Sequence, residues 1–295
     1  MSASRRHRDR HDYVRFERPP VIEVALTLQF DPSSIDLDAI GRFAEQSRTE
    51  LPDRSYQPVA PPMSEQFDVP LAPPPPPFEL RFEGNVEMPR IWYVSADGTE
   101  VVQVQHDRFT LNWRYLESPD NDYPRYSKLR QRLIELLDRL EGAAKEAGGG
   151  DLTVNLCEVT YVNPIVASAR PRPDRPFSEP ARIVRLLRGR RTNAFLPPVQ
   201  DVQLQARWII DGGESGLDVE PPAGRLHLNL TPGLRPPEMT PIYMMNLTAR
   251  VNPSGSDRKA ALEALDVAHK WVVLGFQDLT TEAMHRRWGL IKESE

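Results

Sequence analysis

Apolar and polar residues alternate along two adjoining stretches in the first half of the chain, residues 100–105 and 109–114. A period of two is typical of a strand with one buried face, because successive side chains leave opposite faces of a sheet. The pattern therefore predicts two antiparallel strands that bury their valine, leucine and aromatic side chains. The other face carries polar side chains that we interpret as part of a groove for a ligand or partner: Gln103, Gln105, His106, Asn112 and Arg114. The alternative is an ordinary solvated sheet face.

The same alternation predicts further strands at residues 21–30, 90–95, 151–162, 202–210, 225–230 and 243–251. An Asp-Gly pair at 97–98 favours a hairpin turn between two of the strands. Within 225–230, His227 and Asn229 lie out of phase with three leucines, so they share the polar face. They complete the predicted groove.

Three stretches have a helical period instead, with apolar residues at steps of three and four: 35–51, 126–147 and 257–276. The clearest is the second, where leucines from Leu129 to Leu140 form one side and charged residues form the other. Glycines at 148–150 end it. Residues 280–282, Thr-Thr-Glu, predict the start of one more helix.

The order of the predicted elements is the same in residues 21–147 and 151–276. Each part has a strand, a long excursion, a three-strand meander and a helix, which is the pattern of a duplication, although element order also recurs by chance. We predict an α+β fold: a curved antiparallel sheet from two related β-meander-plus-helix halves, with the long helices packed on one face. The predicted divisions are a flexible basic tail at 1–18 and halves at 19–150 and 151–295, merged into one domain.

Prolines mark the segments between the periodic stretches. Thirty of the 295 residues are proline, about twice the usual share of roughly 5%. Five consecutive prolines at 73–77 favour an extended polyproline II rod. We interpret the rod as a spacer, the alternative being a ligand for an aromatic groove. Residues 78–83 predict a short strand.

The second excursion, residues 167–196, is rich in arginine and predicts a short helix after Ser178-Glu179-Pro180. Guanidinium groups bind phosphates and carboxylates through two parallel hydrogen bonds. We therefore predict an anion-contacting arm, through which nucleic acid is a candidate partner: Arg182, Arg185, Arg188, Arg190 and Arg191. The alternative is a solvated surface helix.

The chain contains none of the short motifs that identify a catalytic site. It has no phosphate-binding GxxxxGK[ST] loop, no HExxH and no CxxC, so we predict no cofactor and no metal. Histidines are the natural groups for acid–base work near neutral pH. Each of the four beyond the tail is equally explained by a structural role: His106, His227, His269 and His285.

The single cysteine, Cys157, cannot form an internal disulfide, which is typical of a reducing cytoplasm. No apolar run approaches the roughly 18 residues of a membrane helix. The first twenty residues lack the apolar core of a secretory signal. We predict a cytoplasmic protein that does not enter a membrane.

These patterns favour a binding or interaction module without catalytic activity, with a protein or a small molecule as its partner. The alternative is a metal-independent nuclease that uses dispersed histidines and the arginine-rich arm. A net charge of −5 argues against extensive nucleic-acid contact. A third hypothesis is a scaffold subunit that forms a homo-oligomer through residues 271–288, which hold two tryptophans.

Several short motifs are spread over most of the chain. They are Pro19-Pro20 with Ile22-Glu23-Val24, Val102-Gln103-Val104-Gln105 with Phe109, Asn112-Trp113-Arg114, Tyr123-Pro124-Arg125-Tyr126, Thr160-Tyr161-Val162-Asn163, and then His269, Phe276, Thr280 and His285 to Trp288. Together they resemble a sporadically distributed family of uncharacterised bacterial proteins. The resemblance implies a bacterial cytoplasmic protein of the kind encoded in mobile or defence-type loci. It implies no catalytic residue.

Overall fold

The computed structural model describes residues 13–31, 34–65, 67, 88–116, 123–166, 174–188, 195, 199–211 and 222–291. Nine strands lie in this part of the chain: β1 Glu23–Phe30, β2 Asp53–Gln57, β3 Arg90–Val94, β4 Glu100–Gln105, β5 Arg108–Arg114, β6 Val154–Val166, β7 Leu204–Ile210, β8 Gly224–Arg235 and β9 Thr240–Val251. Four α-helices accompany them: α1 Leu37–Ser47, α2 Tyr126–Glu146, α3 Arg258–Leu279 and α4 Glu282–Trp288.

The strands form one antiparallel sheet in the order β2-β3-β4-β5-β1-β6-β9-β8-β7. The predicted α+β class with an antiparallel sheet is confirmed. The pair β1–β6 joins the strands of the first half of the chain to those of the second half. Leu26 in the middle of β1 lies opposite Leu111 on one side and Val159 on the other.

The strand register separates an apolar face from a polar face. Leu26, Leu111 and Val159 are buried on the first of these. The neighbouring positions Thr27 and Thr110 point the other way, and their hydroxyl oxygens lie 3.0 Å apart. The alternation in the sequence therefore corresponds to a sheet with apolar side chains on one face and polar side chains on the other.

Side-chain caps fix the starts of three helices. Asp36, Asp257 and Thr281 each accept a hydrogen bond from a backbone N–H in the first turn, which satisfies a donor that the helix leaves unpaired. α1 contacts α2, α2 contacts β1 and β5, and α3 contacts β6, β8 and β9. None of the helices in the described ranges is long and apolar enough to cross a membrane.

Strand β2 is missing from the sequence predictions. Its residues, DRSYQ, have no apolar alternation, because β2 lies at the edge of the sheet and most of its side chains are exposed. In the arginine-rich arm, the predicted short helix consists of two 3-10 turns, Pro180–Arg182 and Arg185–Leu187. The predicted rod at 73–77 and strand at 78–83 lie outside the described residues.

The two ends of the described chain are paired with each other. Phe16 forms an antiparallel bridge with Leu290 and is buried. The backbone N–H groups of Glu17 and Arg18 donate to the carbonyls of Gly289 and Trp288, at 2.9 and 3.0 Å. Residues 13–18 therefore differ from the predicted flexible tail, because Phe16 supplies an apolar anchor inside a charged stretch.

Candidate functional site

A proline-containing segment crosses the polar face of the sheet. It consists of residues 58–65, which follow β2 and adopt neither helix nor strand. We call this segment the strap. It contacts side chains of five strands, β1, β4, β5, β8 and β9, and the Arg108 guanidinium of β5 donates to the Pro61 carbonyl at 2.6 Å.

Two glutamines hold the backbone of the strap. The N–H of Ala60 donates to Oε1 of Gln105 at 2.8 Å, and Nε2 of Gln105 donates to the Ala60 carbonyl at 2.9 Å. Met63 is bound in the same way by Gln29, with distances of 2.6 and 2.9 Å. The side-chain amide of each glutamine thus pairs with both the backbone N–H and the backbone C=O of one strap residue. Both glutamines are buried, since the exposed fractions of Gln105 and Gln29 are only 1% and 6%.

The spacing of the two contacts matches the sheet beneath them. Ala60 and Met63 are three residues apart, which corresponds to about 9 Å of polyproline II chain. Gln105 belongs to β4 and Gln29 to β1, and β5 lies between these strands. Two strand spacings amount to roughly 10 Å. In a strap that runs across the strands, the distance between Ala60 and Met63 therefore matches the distance between the two glutamines.

The strap ends in a buried charged cluster. Oε2 of Glu65 lies 2.5 Å from Nη1 of Arg225, and its Oε1 lies 2.6 Å from Nε2 of His227 and 3.4 Å from Nη1 of Arg250. The exposed fraction of the Glu65 side chain is 3%. Arg250 also binds Glu158 at 2.7 Å. Three side chains of β8 and β9 thus surround one carboxylate of the strap.

The charges of these partners decide the protonation state of Glu65. Burial raises the pKa of its carboxyl, but the hydrogen bond and charge of His227, the charge of Arg250 and the hydrogen bond of Arg225 outweigh burial and leave the pKa below its ordinary value. The guanidinium of Arg225 also lies 4.7 Å from the ring centroid of Phe67, an attractive cation–π contact. Glu65 is therefore an ionised anchor.

Of the residues predicted to form the groove, Gln105 and His227 contact the strap. Gln103 instead donates to Asn112 at 2.8 Å, and Asn112 donates to Glu23 at 2.6 Å. Arg114 donates to the carbonyl of Gly98 at 2.6 Å. His106 lies in the β4–β5 turn, 4.0 Å from Asp107, and Asn229 is exposed on β8. The structure thus brings together only part of the predicted set.

We call the side chains that hold the strap the strap site: Gln29, Gln105, Arg108, Arg225, His227 and Arg250. Four of these were not predicted. Gln29 follows the alternation of β1, which places it on the polar face, so its position was available from the sequence. The ion pairs of Glu65 with the arginines of β8 and β9 join residues at least 160 positions apart. No local sequence pattern predicts them.

The described arginines of the predicted arm are paired with acidic side chains. Arg182 lies 3.0 Å from Glu179, Arg185 lies 2.9 Å from Glu282, and Arg188 lies 3.4 Å from Glu282. Arg190 and Arg191 lie outside the described residues. Because carboxylates already bind these guanidiniums, the part of the arm that is described presents less positive charge than its sequence suggests.

The histidines lie on separate elements. His269 of α3 stacks on Tyr126 of α2, with ring centroids 3.8 Å apart. Nε2 of His285 lies 2.9 Å from the Thr280 hydroxyl, and burial together with the charge of Arg185 lowers the pKa of His285. The described residues contain no group of three or more His, Cys, Asp or Glu side chains placed to hold a metal ion. The nuclease alternative stays a prediction.

Fold and site together define a class: an α+β protein whose antiparallel sheet binds a segment of its own chain on its polar face. Similarity to known proteins adds nothing to this description, since no family model matches the chain and a search of curated proteins finds no match.

Proposed function

We propose that this protein is a non-catalytic binding module whose polar sheet face holds an extended, proline-containing, acidic peptide. The observation that supports the proposal is a set of four hydrogen bonds. The side chain of Gln29 pairs with the backbone N–H and C=O of Met63, and the side chain of Gln105 pairs with those of Ala60. These hydrogen bonds are made to backbone groups, so any peptide segment with the same conformation can form them. The strap is the resident ligand.

The chemistry of the strap site defines which peptides fit. The residues that meet the glutamines must have a backbone N–H, whereas positions 58, 61 and 62 of the strap hold prolines, which have none. Proline at those positions favours the extended conformation before binding, which lowers the entropy lost on binding. A carboxylate two residues after the second contact then meets Arg225 and His227.

A partner in trans has to compete with the strap. A tethered ligand acts at an effective concentration in the millimolar range for a short connection. Wild-type protein is therefore expected to bind a free peptide weakly. A variant with a weakened strap is expected to bind it well.

The test uses a peptide with the sequence of residues 57–67, QPVAPPMSEQF, labelled for fluorescence polarisation. The protein variant carries Ala60→Pro, Met63→Pro and Glu65→Gln, which remove both N–H donors and the charge while proline keeps the strap extended. We expect this variant to bind the peptide at least about tenfold more tightly than wild type does, which corresponds to about 1.4 kcal/mol.

The matched control is the same peptide with proline at the positions of Ala60 and Met63. It should not bind, because it lacks the two N–H groups. Equal binding of both peptides, or of neither, would overturn the proposal. Hydrogen exchange of the wild-type protein gives a second measurement: the amides of Ala60 and Met63 should exchange slowly, and exchange as fast as in the free peptide would contradict the contacts.

We also propose that the sheet consists of two duplicated halves, curved, with the long helices on one face. Support comes from the strand order, which runs β1-β5-β4-β3 outward from the centre in one direction and β6-β9-β8-β7 in the other. Each meander is followed by a long helix, and α2 contacts β1 and β5 as α3 contacts β6 and β9. Failure of the two halves to superpose by a two-fold rotation would contradict the duplication.

We propose, finally, that the family resemblance reflects common structure and extends to a bacterial cytoplasmic protein. Support comes from the motif residues, because Pro19, Tyr123, Tyr161, His269 and Phe276 line one cavity although they come from four segments of the chain. Related sequences that carry the same motifs should keep side chains of similar size at these five positions. Unrelated residues there would contradict the proposal.

A further inference from the structure

A second concave site lies where β1 begins and β5 ends. It is an open pocket of about 600 Å³, within the usual range of about 300–1,000 Å³ for small-molecule sites. We call it the end pocket. Three arginines, Arg18, Arg125 and Arg235, line it together with a single acidic residue, Glu17. Positive charge therefore exceeds negative charge among its described lining residues.

Aromatic side chains form the remaining walls of the end pocket: Trp113, Tyr115 and Tyr123. Tyr115 is 41% exposed, although an aromatic ring gains from burial. Arginine next to an exposed ring such as that of Tyr115 is a combination that binds a planar anionic ligand, because the guanidinium pairs with the oxyanion while the ring stacks on the planar group.

A smaller cavity of about 60 Å³ adjoins the end pocket and shares Pro19, Tyr123 and Arg125 with it. Asn163 and His269 also line it, among mostly apolar and aromatic side chains. A cavity of this size accommodates several water molecules or a small substituent. The shared residues thus separate an outer charged space from an inner space with a few polar groups.

The backbone of Arg125 is strained. Its φ of 71° and ψ of 155° belong to a region that is essentially restricted to glycine. This conformation accompanies a guanidinium whose Nη2 donates to the carbonyl of Phe16 at 3.2 Å and which lies 5.6 Å from the Tyr123 ring centroid. Strain of this kind persists only where the surrounding structure imposes it, and it concentrates at binding sites.

Arg18 is held at the pocket by the pairing of the chain ends. Its backbone N–H donates to Trp288, and the neighbouring Phe16 packs edge-on against Trp288 with centroids 5.8 Å apart. The side chain of Arg18 itself is exposed. The fold therefore fixes the backbone of Arg18 and leaves its guanidinium at the pocket.

We propose that the end pocket binds a small ligand in which a planar ring carries a phosphate or a carboxylate. Arg18 and Arg125 pair with the oxyanion, and Tyr115 contacts the ring. This site is independent of the strap site, and it gives the protein a small-molecule ligand in addition to a peptide.

Isothermal titration calorimetry of the full chain tests the proposal with two probes, adenosine monophosphate for the phosphate and 4-hydroxybenzoate for the carboxylate. Adenosine, phenol and inorganic phosphate are the comparators. We expect at least one probe to bind saturably and at least about tenfold more tightly than its separate parts, because a charged hydrogen bond and a ring contact then act on the same ligand. If neither probe binds better than its parts, the proposal fails.

Two variants connect binding to the named residues. Arg18→Ala should weaken binding of the better probe about tenfold or more. Arg125→Gly should weaken it similarly, because it removes the guanidinium while glycine adopts the same backbone conformation without strain. Arg182→Ala is the control, since this arginine pairs with Glu179 and does not line the pocket.

Unchanged binding in both Arg18→Ala and Arg125→Gly would overturn the assignment, as would an equal loss in Arg182→Ala. The strap variant described above should bind the probe like wild type. Its result separates the two proposals, because the failure of one site leaves the other intact.

Discussion

The strap site and the end pocket both bring arginine side chains together, but they differ in the number of carboxylates near those arginines. At the strap site, Glu65 and Glu158 supply carboxylates to Arg225, His227 and Arg250, and the cluster is largely closed to solvent. In the end pocket, three arginines face an open space with one glutamate among the described lining residues. The difference teaches that arginines around a buried carboxylate of the same chain contribute to stability, whereas arginines that line an open pocket stay within reach of a ligand.

Substitutions should therefore separate the two regions by the quantity that changes. Removing a group from the strap site leaves buried partners without hydrogen bonds, so the free energy of unfolding should fall. Removing the exposed side chain of Arg18 from the end pocket should lower ligand affinity, while the free energy of unfolding changes by less than about 0.5 kcal/mol.

The largest loss of stability is expected for Glu65→Ala. This substitution leaves Arg225 and Arg250 clustered without their shared carboxylate, and breaking a buried ion pair by removing one partner costs about 3 kcal/mol. Urea denaturation followed by circular dichroism measures the change.

Glu282→Ala is the matched control for this loss, because Glu282 also meets two arginines, Arg185 and Arg188, but at an exposed position. It should leave the denaturation curve unchanged. Similar curves for both variants would mean that the strap is not anchored by Glu65.

An intermediate loss is expected for Gln105→Ala. The substitution removes the partner of both Ala60 amide groups, and each buried group left unpaired costs about 1–3 kcal/mol; we expect a total of about 2 kcal/mol. Gln103→Ala is the control on the same strand, since Gln103 bonds Asn112 and is only partly buried. It should cost less than about 1 kcal/mol. A reversed order of the two variants would contradict the role of Gln105.

The sequence predicts most of the sheet because one physical rule dominates it. Apolar and polar residues alternate along β1, β4 and β5, as in a strand with one buried face, although the middle of β5 is buried on both faces. Strand β2 escapes the rule because an exposed edge strand buries little on either face. The ends of β8 and β9 extend beyond their predicted bounds, since the long hairpin continues through Pro232 and Pro241, residues that usually end a pattern.

The candidate sites are predictable only in part, and the reason differs between them. Alternation places Gln105 and His227 on the polar face, but it cannot show that the chain covers this face itself. The strap has no period, and its glutamine contacts are with backbone groups, which are the same in every sequence. In the end pocket, the strain at Arg125 lies in its backbone dihedral angles. The residue type does not predict those angles.

The smallest effect on the strap site is expected from acid. Although burial raises the pKa of Glu65, the hydrogen bonds and charges of His227, Arg250 and Arg225 hold it below the ordinary value of 4.5. A carboxyl whose pKa is lowered by folding stabilises the fold in full above its ordinary value, and this contribution is lost as the pH falls through the folded value. Protonation removes the charge but keeps the side chain in place, so the loss is smaller than in Glu65→Ala. Unfolding free energies of wild type and Glu65→Gln, compared between about pH 6 and pH 3, should converge as the pH falls, and other carboxyls cancel because both proteins share them. A difference that stays constant over this range would show that the three partners do not hold Glu65 in its charged form, and the contrast with the end pocket would then rest on packing alone.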